Sequence, residues 1–217
     1  MYLLKDITKN YGTQQVLKGV SLELNRREMV SVMGKSGAGK STLLGIMAGL
    51  VRPDAGRVEF EGLEMGGQSE DALADFRMRN VGIVFQDFRL IPSLSVADNI
   101  LIAAFPVKDV SKAEKTDRME TLTERVGLKD MLGKKADNLS GGEKQRVAIA
   151  RSLINKPSFV LADEPTGNLD EKTSGSIMEL FAELHSVLDT TFVIVTHDEE
   201  IAEKTQKIYR MADGRLS

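Results

Sequence analysis

Met29-Val30-Ser31-Val32-Met33-Gly34-Lys35-Ser36-Gly37-Ala38-Gly39-Lys40-Ser41-Thr42 is the stretch that decides the fold. It opens on a nearly continuous apolar run, the pattern of a strand covered on both faces. Gly34 to Ser41 then fit the phosphate-loop pattern of two glycines, a lysine and a hydroxyl residue in full. From Lys40 onward, Leu43, Leu44, Met47 and Leu50 are spaced to share one face of a helix over residues 40–50. Strand, loop and helix in that order let backbone N–H groups curl around a phosphate, with the positive end of the helix dipole behind them. The cradle is expected from Gly34, Lys35, Ser36, Gly37, Ala38 and Gly39, with Thr42 opening the helix beside it. Lys40 is placed to reach the β- and γ-phosphates, and the Ser41 hydroxyl to ligate Mg²⁺. A glycine-rich turn with an exposed lysine is the plain alternative, and it leaves the flanking buried strand and amphipathic helix unexplained.

Working outward, residues 2–8 and 16–24 are rich in β-branched and apolar side chains and are separated by Tyr11-Gly12. They predict an antiparallel pair. Strand-like runs recur at residues 58–60, 81–85, 159–162, 192–195 and 207–211, mostly with helical patterns between them. That alternation predicts an α/β fold on a mainly parallel sheet, with an antiparallel β subdomain at the N-terminal end. Between Gln86 and Asn155 helical signals dominate. Ser95, Ser111 and Ser140 each precede an acidic residue three positions on, Asp98, Glu114 and Glu143, which marks helix starts. The expected division is a core of residues 1–85 and 156–217 with an inserted helical subdomain at 86–155.

The sequence has 217 residues, 29 basic and 32 acidic, for a formal charge of -3. No block of like charge stands out, so a sequence-independent grip on nucleic acid has no electrostatic basis. Cysteine is absent, which excludes disulfides and thiolate metal sites. The first residues lack the basic-then-apolar order of a signal peptide, predicting a chain that is not exported. The longest apolar stretch, around residues 100–105, is far short of the roughly 20 needed to cross a bilayer, so no transmembrane segment is expected.

A second group of polar residues follows the apolar run 159–162. Asp163-Glu164 would stand at the C-terminal edge of a parallel sheet, where ligands bind in such folds. Asp163 suits the Mg²⁺ shell, and Glu164 could polarise an attacking water. A third group, Leu139-Ser140-Gly141-Gly142-Glu143-Lys144-Gln145-Arg146, is a capping box with two glycines exposing N–H groups at a helix start. That makes an anion site, or an ordinary well-capped helix.

This last stretch resembles the signature of ATP-binding-cassette (ABC) ATPases, and the resemblance runs from about Tyr2 to Leu216 with the motifs in family order. It implies a phosphate-loop NTPase core, ATP and Mg²⁺ as cofactors, and roles for further residues. Tyr11 is similar to the aromatic that stacks on adenine. Gln86 resembles the glutamine that touches Mg²⁺ or the lytic water, and His197 the switch histidine that contacts the γ-phosphate. Asp170 resembles an aspartate at the dimer contact. His185 matches no motif and is expected on the surface. In the family Ser140, Gly141 and Gly142 act on the nucleotide held by the partner subunit, implying a homodimer that closes on two ATP molecules. The resemblance also implies a membrane permease on a separate chain, and a place on the cytoplasmic, inner face of the cell membrane.

Ala162-Asp163-Glu164-Pro165-Thr166-Gly167-Asn168-Leu169-Asp170 is similar to the form found in lipoprotein-releasing Lol-type ATPases, macrolide-exporter ATPases and FtsE-type cell-division ATPases. A division-type signalling ATPase is therefore a second reading, since its catalytic residues would be identical. DNA-repair ATPases share two of the motifs but separate them by long coiled coils or zinc modules. Here about 100 residues lie between Lys40 and Ser140, without heptads or cysteines. Finally, Phe88, Leu90, Ile91 and Leu94 cluster just after Gln86, where a loop would ordinarily be polar. They predict either a packed subdomain core or a groove that receives a short helix of the permease.

Overall fold

Buried Val20, Leu22 and Leu24 alternate with exposed Ser21 and Glu23, so the second strand of the chain has one covered face. In the computed structural model, which describes residues 1–217, it pairs antiparallel with the first. These are β1 (Tyr2–Tyr11) and β2 (Gln14–Leu24), joined through Gly12 at φ +59°. β3 (Met29–Met33) and α1 (Lys40–Met47) flank the glycine-rich loop, and β4 (Ala55–Phe60), β5 (Leu63–Glu64), α2 (Glu70–Asn80) and β6 (Val81–Val84) follow. The middle of the chain is α3 (Val96–Leu101), α4 (Lys112–Arg125) and α5 (Gly141–Leu153). It ends with β7 (Phe159–Asp163), α6 (Glu171–Val187), β8 (Thr191–Thr196), α7 (Glu199–Ala202), β9 (Lys207–Ala212) and β10 (Arg215–Leu216).

Two sheets result. The antiparallel one has the order β2-β1-β4-β5, and the other β10-β9-β3-β8-β7-β6. In the second sheet β9, β3, β8, β7 and β6 are parallel, and only β10 runs against its neighbour. Its central strands are buried on both sides, and their alternating residues feed two cores. Val160, Ala162, Phe192 and Ile194 belong to a cluster with α3 to α6, while Leu161, Val193 and Val195 pack with α1 and the antiparallel sheet. β3, β7 and β8 therefore end side by side, and the loops that leave them share one edge.

All three expected helix starts occur. The Ser95 hydroxyl accepts from the Asp98 N–H at 3.0 Å, Ser111 from Glu114 at 3.1 Å and Ser140 from Glu143 at 3.3 Å. Residues 86–155 hold helices and one isolated bridge, Ser95 to Lys135. Their core is continuous with one face of the parallel sheet, because Ile100, Met119 and Val126 join the cluster of Val84 and Val160.

Two expectations are corrected. α1 stops at Met47 because Gly49 turns left-handed at φ +65° and the Leu50 N–H folds back onto the Gly45 carbonyl at 2.8 Å. Leu50 is thus 58% exposed and leaves the buried face that Leu43, Leu44 and Met47 share. His185 is half-buried, not a free surface residue: Nε2 donates to the Arg27 carbonyl at 2.9 Å and the ring meets Phe192 edge-on.

Candidate nucleotide site

Two glycines at the ends of the loop between β3 and α1 sit where a side chain would have no room. A Cβ on Gly34 would lie 2.3 Å from the Met211 carbonyl oxygen. Gly39 sits at φ +104°, with Leu17, Met211 and the Val16 carbonyl each 3.0 Å from where a Cβ would be. It occupies the cap position of α1 and offers no side-chain acceptor, so the first N–H groups of the helix face the loop unsatisfied. Such a helix start suits an anion. Lys40 is folded into the loop, with Nζ donating to the carbonyls of Gly34 at 2.6 Å and Lys35 at 3.2 Å.

Asp163 and Glu164 arrive from the adjacent end of β7. Lys40 Nζ is 3.6 Å from Glu164 Oε1, and His197 Nδ1, just beyond β8, is 3.0 Å from Glu164 Oε2. Glu164 itself is left-handed at φ +47°, a conformation costly for a residue with a Cβ, and its N–H is fixed to the Val195 carbonyl at 2.9 Å. Burial pushes the Asp163 carboxyl above the usual carboxylate range, and the Glu164 charge adds to this. The Ser41 hydroxyl, Lys40 and Arg89 pull the other way.

A carboxyl raised by burial is charged at the expense of the fold at every pH above its folded pKa, and protonation relieves the strain as pH falls through that value. Asp163→Asn should therefore raise the melting temperature of the nucleotide-free protein slightly, by about 2 °C given partial exposure. It should abolish Mg²⁺-dependent activity. Thermal scans beside hydrolysis assays check both halves.

Ser140, Gly141 and Gly142 lie elsewhere. The full capping box forms, since the Ser140 N–H also donates to Glu143 Oε2 at 2.6 Å, and these bonds hold the Glu143 carboxyl below its usual range. Asp170 caps α6 in the same manner, accepting from the Thr173 N–H at 3.0 Å and its hydroxyl at 2.6 Å. The two helix starts meet at an open cleft of about 590 Å³ lined by Ser140, Gly142, Arg146, Asn168, Asp170 and Thr173. A Cβ on Gly142 would come 2.8 Å from the Thr173 methyl, so the glycine is required by the packing of these helices as well. No residue of the Lys40 group lines this cleft.

Gln86 stands between the two groups. Its Nε2 donates to Asn168 Oδ1 at 3.3 Å, and Asn168 Nδ2 donates back to the Gln86 carbonyl at 2.9 Å. The glutamine side chain therefore reaches the segment leading to Asp170 and makes no hydrogen bond to Lys40, Asp163 or Glu164. Tyr11 is 51% exposed at the end of β1, with Lys9 Nζ over its ring 5.7 Å from the centre. Gln145 was not singled out by its spacing, yet it is fully buried and its Nε2 donates to the Pro165 carbonyl at 2.6 Å, tying α5 to the turn after Glu164. Its position inside the Ser140 stretch was the one available signal.

Comparison with known proteins agrees with this geometry. The sequence model of the family described as "ABC transporter" matches residues 17–167. The lipoprotein-releasing system ATP-binding protein LolD of Bacteroides thetaiotaomicron is 46% identical over 216 residues, covering 100% of this chain and 99% of that protein. The solved dimeric structure of a bacterial ABC transporter cassette superposes with a TM-score of 0.89 at 38% identity, covering 100% of this chain and 97% of that one. A post-hydrolysis dimer of the same cassette, bound to ADP and Pi, gives 0.89 at 37% identity over the same shares. A glycine-rich loop between a parallel strand and a helix, a carboxylate pair at the same sheet edge and a capped glycine helix start apart from them, matched over nearly the whole length by such relatives, place this chain in the ABC transporter family as an ATP-binding cassette.

Proposed function

We propose that the chain powers a lipoprotein-releasing or export-type transporter, working as a homodimer around two ATP molecules on the cytoplasmic face of the inner membrane. Full-length identity of 46% to a lipoprotein-releasing ATPase carries this reading. Lys40 and the loop N–H groups grip the β- and γ-phosphates, and Tyr11 stacks on adenine. Ser41 and Asp163 fit Mg²⁺, since they offer hard oxygen donors, and no three His, Cys, Asp or Glu side chains cluster to hold a metal alone. The ion would supply charge neutralisation at the phosphates. Glu164 takes the proton of the attacking water, oriented by His197, while Ser140, Gly141 and Gly142 donate to the γ-phosphate bound by the other subunit. Gln86, bonded to Asn168, and Asp170 two residues further on carry closure from one subunit's site to the next.

No helix of the chain is long and apolar enough to cross a membrane; the transport path is assigned to the permease on the likeness to lipoprotein-releasing ATPases. Of the apolar residues after Gln86, Phe88 and Leu90 are partly buried and pack against the core, which for these two favours the packed-core alternative over the groove. Ile91 remains 41% exposed, and Ile102 and Phe105, which the sequence did not single out, are 45% and 83% exposed. An 83% exposed phenylalanine in the turn that follows the short 3-10 helix Ile102–Ala104 is the natural contact for a cytoplasmic helix of the permease. Phe105→Glu should abolish co-purification with a permease encoded beside this chain while basal hydrolysis changes less than about twofold. Co-purification that survives Phe105→Glu overturns the assignment, and a melting temperature close to that of the parent chain separates a lost contact from misfolding.

A further inference from the structure

Immediately after Gln86, Phe88 and Arg89 are consecutive non-glycine residues in the left-handed region, at φ +59° and +46°. Two adjacent residues of this kind persist only where surrounding contacts over-determine them. The contact here comes from the far end of α5. Arg151 Nη1 donates to the Arg89 carbonyl at 2.5 Å and Nη2 to the Phe88 carbonyl at 2.6 Å. The guanidinium is partly buried, and burial lowers its affinity for the proton without removing its charge. Each carbonyl thus receives a charge-assisted bond, and the two-pronged donor matches two successive carbonyls as a lysine could not. On the outer side the Arg89 guanidinium lies over the Phe85 ring at 3.9 Å, which closes the turn.

We propose that Arg151 is a positioning residue for the hydrolytic reaction. It holds the left-handed Phe88-Arg89 turn and thereby fixes Gln86 against Gly167 and Asn168. The chain leaves β6 through Gln86 and enters the helical segment at Leu90, so the orientation of that whole segment hangs on this turn. Arg151 and Ser140 lie on one rigid helix. A shift of α5 that carries Ser140 toward or away from nucleotide therefore pulls on the carbonyls beside Gln86. The proposal rests on the assigned role of Gln86 but can fail without it, because its test reads backbone strain.

The test compares Mg·ATP hydrolysis and melting temperature for the full chain, Arg151→Ala, Arg89→Gly and the double variant. Glycine adopts the left-handed conformation freely, so at position 89 it relieves the strain at one of the two residues that the clamp holds. Arg151→Ala is expected to lower kcat about tenfold with KM changed less than about twofold, since two charge-assisted bonds to the turn are lost. Arg89→Gly alone is the reference for the double variant, because it also removes a charge that acts on Asp163 and the contact with Phe85; in that background Arg151→Ala should lower kcat less than about threefold, against about tenfold in the unaltered chain. An Arg151→Ala chain as active as the parent overturns the proposal. So does a loss just as large in the Arg89→Gly background, which would mean that Arg151 matters only for packing α5. Should Arg151→Ala fail to fold, Arg151→Lys with and without Arg89→Gly gives the same comparison, because lysine keeps the charge and stem but loses the fork.

Discussion

Glu164→Gln is expected to keep Mg·ATP binding and to lower turnover by about 10²–10⁴-fold. The amide retains the shape of the side chain on its left-handed turn and removes the proton acceptor. Lys40, 3.6 Å from the carboxylate, loses an ionic competitor for the phosphates, so affinity should hold or rise. His197 loses a charged partner 3.0 Å from Nδ1 but keeps an acceptor at the amide oxygen. Steady-state phosphate release beside equilibrium nucleotide binding separates the two effects. An unchanged kcat would remove Glu164 from the reaction, and lost binding would make it a structural support of the loop.

Ser140→Arg is expected to reduce turnover by about 10²-fold, the usual cost of losing donors aimed at developing charge. The long side chain fills the cleft in front of Gly142, and the cap on α5 disappears. Loss of the cap alone costs about 1 kcal/mol, well below the roughly 5–15 kcal/mol that holds a domain folded. Because Ser140 lines a cleft that no member of the Lys40 group enters, ATP binding to the isolated chain should be unaffected. That combination, normal binding with lost turnover, distinguishes a site completed by a second subunit from one contained in a single chain. Weakened binding by the monomer would contradict it.

The phosphate loop was legible in the sequence because everything it needs is local: an apolar strand, glycines at fixed spacing and the start of a helix. The three serine caps were legible for the same reason, since a hydroxyl and an N–H three residues on meet whatever the rest of the chain does. Other features depend on contacts across the chain. Leu50 has the right spacing for α1 but lies beyond Gly49, whose left-handed turn ends the helix. His185 looked free until β8 brought Phe192 beneath it. Hydrophobicity could not separate Phe88 from Phe105, and burial does: one packs on the core and the other faces outward. The pairing of Gln86 with Asn168 spans 82 positions and has no counterpart in spacing. That Ser140 acts on another subunit's nucleotide is an expectation from family resemblance, and spacing along the chain has no counterpart to it.

The composite site is tested most directly by the mass of the Glu164→Gln chain in solution, measured by light scattering with Mg·ATP and with Mg·ADP. Two γ-phosphates, each gripped by one subunit's Lys40 and the other's Ser140, should hold the halves together only while they remain unhydrolysed. The expected result is a doubled mass with ATP, a single-chain mass with ADP, and no doubling when Ser140→Arg is added. One constant mass across all three conditions would contradict a shared site.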